Sequence, residues 1–462
     1  MIGIILKINL RPKALMHHNP TRNSRIRQAI GEMNPSTAAT LINKIESKRA
    51  GGYDDPTFDL ILPFARSILQ SSGRKAAREA TILRSFCVPF EDSLVNCNPG
   101  HIQPGRINRQ SIIPVWNWVS TRLIPGKISK LTDRINQAVE AENLPQIRAV
   151  CSILYNDCAD ALQKALTKAQ KHEKTQKRLT ARLGPATGIP DAWEMYLALR
   201  NAETLGELRE RLPAMTSRLE GRSLETLTAL MSEYFSLAPD IHGSITASFL
   251  TRLKTPSHIL HIPVKVLGSA DAGRICSTPF RILGDILLFD IDCLVDDLIS
   301  QLRQSAPIGD ILINLEEFHD LTGGFNSEVD VLARNTWGQR LGRARTRISD
   351  VLEREIRQLP ALMREHIKTH GSRANDFFHP AGQKPGKAGA TPLQGEEKLV
   401  HALALMKGCK PYMDQLSINA TMHKVENEIE QITDYARIIG KSSVLSKVEA
   451  LTAKALDFST PR

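Results

Sequence analysis

Apolar positions recur at spacings of three and four through most of the chain, the period of a helix that buries one face. Asn34-Pro35-Ser36 opens a short helix that closes at Gly51-Gly52, with a capping residue in front and glycine behind. Asp55-Pro56 opens the next, kinked or broken at Pro63. Residues 97–126 contain Pro99-Gly100, Pro104-Gly105, Pro114 and Pro125-Gly126 and read as irregular loop around one short apolar helix. A helix capped by Ser129 and ending near Asn143 follows. From Pro145 to Gly184 nothing interrupts the helical pattern. That predicts a central helix of about 39 residues, ~58 Å long, reaching beyond one domain. Residues 184–190 (Gly-Pro-Ala-Thr-Gly-Ile-Pro) form a boundary.

Helical spacing resumes at 191–253, interrupted near Pro213 and Pro239, and again at 280–303 and 328–369. Gly323-Gly324 reads as a turn. The recurrence of β-branched residues predicts at most a short β element near 258–268. Residues 371–395 are rich in Gly, Pro and Ala and read as a linker. Beyond it, Ile418, Met422, Val425, Ile429, Ile432, Ala436 and Ile439 alternate spacings of four and three, a three-heptad apolar seam. Glu426 and Glu428 flank the seam without matching lysines, so a parallel homodimer would set acids beside acids. A C-terminal helical hairpin or bundle, with 443–457 or 396–408 as partner helix, fits better than a coiled coil between chains. A protein-binding surface is the remaining reading.

The predicted class is therefore mostly α and multidomain. The expected layout is a basic disordered arm over 1–33 and a helical domain over 34–183 ending in the long helix. A central helical domain over 190–370, the linker over 371–395 and a C-terminal hairpin over 396–457 follow. Only 5% of the 462 residues are aromatic, which agrees with helices over sheets. None of the seven cysteines falls in a Cys-x-x-Cys pair, so neither a zinc ribbon nor a redox dithiol is expected. Free, reduced thiols are expected, and with them a cytoplasmic location. No window reaches the ~20 apolar residues of a membrane span, so no membrane insertion is expected. Residues 1–30 carry six cations and no acid. They read as an arm, or as chain ahead of an internal start at Met33, rather than as a secretory signal.

Charge changes this picture most. The net charge is +11, but it is concentrated. Over 162–182 seven cations face one acid, and over 334–364 eight arginines face three acids. Over 285–330 eleven acids stand against Arg303 alone. On a helical wheel Lys164, Lys168, Lys171, Lys174, Arg178 and Arg182 share one face. Arg340, Arg343, Arg347, Arg354, Arg357 and Arg364 form a second, slowly drifting stripe. One-sided cation rows can follow a phosphate backbone, with nucleic acid as the simplest polyanion. The bland alternative is that the stripes pair with the acidic block. Trp337 adjoins the second stripe, and Trp116 and Trp118 lie near Arg106 and Arg109, where base stacking competes with simple burial.

Motifs for chemistry fail on spacing. Leu288-Phe-Asp-Ile-Asp-Cys-Leu-Val-Asp296 resembles, in one short stretch, the Asp-x-Asp nucleophile loop of haloacid-dehalogenase-type phosphatases. It lacks the Gly-Thr after the second Asp, and Leu287, Ile291, Leu294, Leu298 and Leu302 recur at helical spacing instead. Glu316, His319 and Asp320 share a helical face, half of a di-iron carboxylate pattern, but no second half exists. His258 and His261 could add nitrogen ligands. Gly440-Lys441-Ser442 lacks the glycine a phosphate loop requires. No cofactor or metal is implied. The expected role is a non-enzymatic helical adaptor, scaffold or regulator with a protein partner or a polyanion partner. An enzyme with a scattered or metal-assisted site near Glu316, His319 and Asp320 and a purely structural interaction module are the alternatives. Oligomeric state is not encoded in any pattern found.

Overall fold

The computed structural model describes residues 82–95, 102–184, 188–213, 219–372 and 392–459, apart from positions 142, 305, 333 and 441, together with scattered positions between 30 and 68. Nearly all of the arm expected over 1–33, and most of the linker expected over 371–395, lie outside the described residues. Helices dominate, as the periodicity predicts.

In chain order they are α1 (Ile82–Cys87), α2 (Ile112–Trp118), α3 (Pro125–Glu140), α4 (Leu144–Lys171), α5 (Glu173–Leu183) and α6 (Gly188–Arg200). Next come α7 (Ala202–Arg211), α8 (Gly221–Leu237), α9 (His242–Leu250), α10 (His261–Leu267) and α11 (Ala272–Cys276). Then follow α12 (Arg281–Arg303), α13 (Ile308–Glu328), α14 (Thr336–Arg357) and α15 (Leu359–Ser372). The last four are α16 (Pro392–Cys409), α17 (Met413–Leu416), α18 (Asn419–Ile438) and α19 (Ser442–Ser459). The chain divides into two compact units. The first holds the described residues of Arg22–Cys293 and Leu321–Gln339, the second those of Leu294–Asp320 and Arg340–Arg462.

Local chemistry explains several boundaries. Asn34 Oδ1 accepts the Thr37 N–H at 2.8 Å, so the expected cap forms. Asn143 does the same for the Gln146 N–H at 3.1 Å, with Pro145 in the first turn of α4. Pro125, rather than Ser129, opens α3, because the fixed φ and missing N–H of proline suit the first helical position.

The long helix is bent rather than straight. α4 runs 28 residues and α5 eleven, separated by His172 in an extended conformation (φ −134°, ψ 106°). Leu179 and Leu183 are the cause. Both are buried, and α5 packs on α2 and α6. Burying two leucines contributes roughly 3–6 kcal/mol, against about 1 kcal/mol for a helical hydrogen bond lost at the break. The expected projection beyond one domain is thereby corrected: α5 turns onto its own unit.

The β element expected over 258–268 is helical. A 3₁₀ turn (Pro256–Leu260) runs directly into α10. Ile259, Leu260, Ile262 and Pro263 are buried while Lys265 and Val266 are exposed, one contiguous face rather than an alternation. Pro263 stands in the first turn, where its missing N–H has no intrahelical partner to lose. Among the described residues the one sheet is elsewhere, a parallel pair of Leu94–Val95 with Ile107–Asn108.

Gly323-Gly324 is not a turn either, for both residues lie inside α13. A Cβ at Gly324 would stand 2.4 Å from the Oγ of buried Ser257, so the helix needs glycine for close approach. Gly324→Ala is expected to destabilise the protein by roughly 1–3 kcal/mol, although helix propensity alone favours alanine by about 1 kcal/mol. Thermal unfolding decides the sign, and a stabilised variant would mean that Ser257 simply moves aside.

In the second unit α15, α16, α18 and α19 pack as a bundle, α18 and α16 each lying against α15 and α19. Ile418, Met422, Val425, Ile432 and Ala436 are buried, Ile429 is half-buried and Ile439 is 37% exposed. The seam therefore closes largely on its own unit. Five cysteines (Cys87, Cys151, Cys158, Cys276 and Cys409) are free, as expected. Cys293 is not: it is disulfide-bonded. The sequence carried no paired spacing that would reveal such a bridge.

Candidate polyanion-binding face

The six cations of the first stripe are all exposed. The bend at His172 divides them into Lys164, Lys168 and Lys171 on α4 and Lys174, Arg178 and Arg182 on α5. Their opposite faces supply the core, through Leu162, Leu166 and Ala169 on α4 and Leu179 and Leu183 on α5. The two helices carry three acids, Asp157, Asp160 and Glu173. Each of these is matched by a cation outside the stripe. Asp157 takes Lys127 of α3, Asp160 takes Arg200 of α6 at 3.4 Å, and Glu173 takes Lys177 at 2.7 Å. No ion pair within the described residues engages any of the six stripe cations.

The second stripe is arranged differently. Its residues spread over α14 and α15, with Pro360 in the first turn of α15 where the helix restarts. Arg347 pairs with Asp296, Arg357 lies on Glu353 at 2.5 Å and Arg364 on Glu428 at 3.6 Å. Arg357 also donates to Thr421 Oγ1 at 3.3 Å. Arg340 is half-buried, and Arg343 and Arg354 are exposed. Three of its guanidiniums thus already face carboxylates of their own unit. The tryptophans do not offer stacking surfaces. Trp337 is fully buried, donates Nε1–H to Asp285 at 2.8 Å and packs edge-on against Phe325. Trp118 is buried, and Trp116 leans on Phe86 with ring centroids 5.0 Å apart.

The acidic block meets internal partners. Asp285 accepts from Trp337 and, at 3.0 Å, from Arg281, while Asp290 takes buried Arg106. Asp290 and Asp292 lie mid-helix in α12, with Leu287, Ile291, Leu298 and Leu302 buried, so the helical reading of that stretch holds and no phosphatase-type loop forms.

Glu316, His319 and Asp320 do share one stretch of α13. The Gln415 amide engages His319 Nδ1, and the Tyr412 ring lies 5.1 Å from the imidazole. Burial, then the charges of Glu316 and Asp320, push the Tyr412 phenol up to about 12. The His258 and His261 rings are tilted 37° to each other with centroids 5.2 Å apart, but His261 is taken by Glu328 and by the Leu219 carbonyl at 3.2 Å. Among the described residues no three His, Cys, Asp or Glu side chains are grouped to hold a metal ion.

One charged cluster has no sequence signature. Asp92 lies in the 3₁₀ turn Val88–Ser93 of the first unit, its side chain 11% exposed. Its Oδ2 accepts from Arg209 Nε of α7 and from Ser248 Oγ of α9, both at 2.7 Å. Arg209 spends its other nitrogens on the Val88 and Pro89 carbonyls, at 2.9 and 2.8 Å. Burial alone would raise the Asp92 carboxyl, but the Arg209 guanidinium, the two hydrogen bonds and nearby Arg252 hold it below the usual carboxylate range. The partners are 117 and 156 residues away in sequence, so no local spacing could reveal them. A second missed group is Glu194 of α6, whose Oε2 accepts the Gly105 N–H at 2.8 Å. Burial, opposed by that bond and reinforced by Asp191, pushes its carboxyl up to about 7. Both groups are bonded to their own fold. Among the described residues, α4 and α5 carry instead a row of six exposed cations that no ion pair engages. Comparison with known proteins gives no relative to set beside this face, since no family model, no curated protein and no solved structure matches the chain.

Proposed function

We propose that this chain is a non-enzymatic helical binding protein that engages a polyanion through Lys164, Lys168, Lys171, Lys174, Arg178 and Arg182. The observation that carries the reading is charge accounting on α4 and α5. All three acids there are paired with cations outside the stripe, leaving six exposed cations with no counter-charge among the described residues. A polyanion supplies that counter-charge and gains entropy from released counterions. The second stripe is assigned to internal pairing, as Arg347, Arg357 and Arg364 exemplify. The competing reading, an enzyme around Glu316, His319 and Asp320, draws no support from an imidazole whose Nδ1 faces an amide.

The test is binding of heparin and nucleic acid to the full chain across a salt series. The triple variant Lys168→Glu, Lys171→Glu, Arg178→Glu is expected to weaken binding by roughly 100-fold or more and to flatten the salt slope by about three. Arg357→Ala and Arg364→Ala, whose partners are internal, should leave binding unchanged. Salt-independent binding, or equal affinity of the triple variant with retained helicity, would overturn the proposal.

A further inference from the structure

The geometry points to a more specific ligand: we infer that the face on α4 and α5 takes the phosphate backbone of double-stranded nucleic acid without reading base sequence. This rests on the polyanion reading above and narrows it. The first argument comes from aromatic side chains. Proteins that hold single strands stack successive bases on exposed aromatic rings. Among the described residues of the first unit no aromatic ring is exposed. Trp118, Trp337, Tyr234 and Phe235 are buried, and Trp116, Trp193 and Tyr196 are half-buried, the last two edge-on to each other at 5.5 Å. Unstacked bases would find no exposed platform among the described residues of this unit.

The second argument is the layout of charge. Lys164 to Lys171 spans seven residues of α4 and Lys174 to Arg182 eight of α5, which places cations along roughly 10 Å and 12 Å of two successive rods. Each rod sits on rigid, buried packing, through Leu162 and Leu166 in one and Leu179 and Leu183 in the other. Fixed rows of charge match a stiff, regular polyanion better than a flexible one. A duplex presents one charge per ~1.7 Å of axis, about twice the linear density of a single strand. It also returns more counterion entropy per contact, through a coefficient of about 0.9 against about 0.7. Phosphate contacts position a protein without carrying sequence information. A face of lysines and arginines, with no exposed aromatic ring among the described residues of its unit, has the means for the former alone.

The experiment is fluorescence anisotropy with the full chain against four labelled probes. These are a 30-base-pair DNA duplex, the RNA duplex of the same sequence, the corresponding single strand, and heparin. Both duplexes are expected to bind at least tenfold more tightly than the single strand, with the same affinity for a scrambled sequence. With six contacts the slope of log affinity against log salt should approach about −5 on duplex and about −4 on single strand. Between 50 and 200 mM salt the duplex affinity should then fall on the order of a thousandfold. Single strand bound as tightly as duplex, or affinity that follows base sequence, would each overturn the inference. If heparin binds with steep salt dependence while duplex shows no advantage, the inference fails and the polyanion reading stands. Absence of binding to every probe sinks both.

Discussion

Asp92→Ala is expected to destabilise the first unit by about 3–5 kcal/mol, the usual cost of removing one partner of a buried ion pair. The Arg209 side chain is only 15% exposed and has its Nε on Asp92. Arg252 is buried beside the same carboxylate, and its own charge is already disfavoured by burial. Taking the carboxylate away leaves two guanidiniums in a poorly solvated place and orphans the Ser248 hydroxyl. The loss therefore exceeds the ~1 kcal/mol of an ordinary hydrogen bond. Urea unfolding followed by circular dichroism measures it, read on the transition of the first unit, since two units need not unfold together. The pH dependence gives an independent check. The folded carboxyl of Asp92 is held below its ordinary value of 3.8. Its contribution is present above that value and is lost as pH falls through the folded value. The alanine variant should lack this acid-side component. A loss under 1 kcal/mol, with the wild-type acid profile retained, would mean the cluster is not a structural anchor.

This cluster marks the boundary of what the amino-acid pattern could tell. Local signals were legible wherever one turn of chain contains both partners, as at Asn34 with Thr37 and Asn143 with Gln146. The apolar seam from Ile418 to Ala436 was legible for the same reason, because spacing of three and four is a local property and the bundle uses it as such. Signals failed where distant packing decided. Nothing in the run from Pro145 to Gly184 breaks a helix, yet Leu179 and Leu183 find a core only if the chain bends at His172. Gly323-Gly324 looked like a turn because Ser257, which requires the glycine at 324, is 67 residues away. The β-branched run over 258–268 misled because its residues are buried as one block.

The same distinction separates the two basic stripes. Helical spacing alone made them look alike. What differs is where acids arrive from other elements: Asp296 of α12 and Glu428 of α18 reach the second stripe, and no acid of the described residues pairs with the first. Solvated rows of lysine contribute little to folding. The first stripe is thus a feature the fold tolerates rather than needs, and charge reversal there should leave stability nearly unchanged while altering binding. That separability is what makes the face a functional hypothesis that can be tested without confounding it with unfolding.

Glu194 supplies the opposite case, a group that costs stability at neutral pH. Its carboxyl is pushed up to about 7 from an ordinary value of 4.5, first by burial and then by Asp191 one turn earlier, against the bond from Gly105. A carboxyl raised in the folded state favours folding while it is protonated and opposes folding once it must ionise. The penalty is absent below about 4.5, grows as pH rises between about 4.5 and 7, and is fully present above. Its size is on the order of 3 kcal/mol at pH 8. Glu194→Gln keeps an amide oxygen for the Gly105 N–H and removes the titrating charge. The variant is therefore expected to be more stable than wild type at pH 8 by up to about that amount and indistinguishable from it at pH 4.5. Urea midpoints at the two pH values measure the difference. Equal stability at pH 8 would place the Glu194 carboxylate in water, and a less stable glutamine variant would mean that the charge on the Gly105 N–H outweighs the cost of burying it.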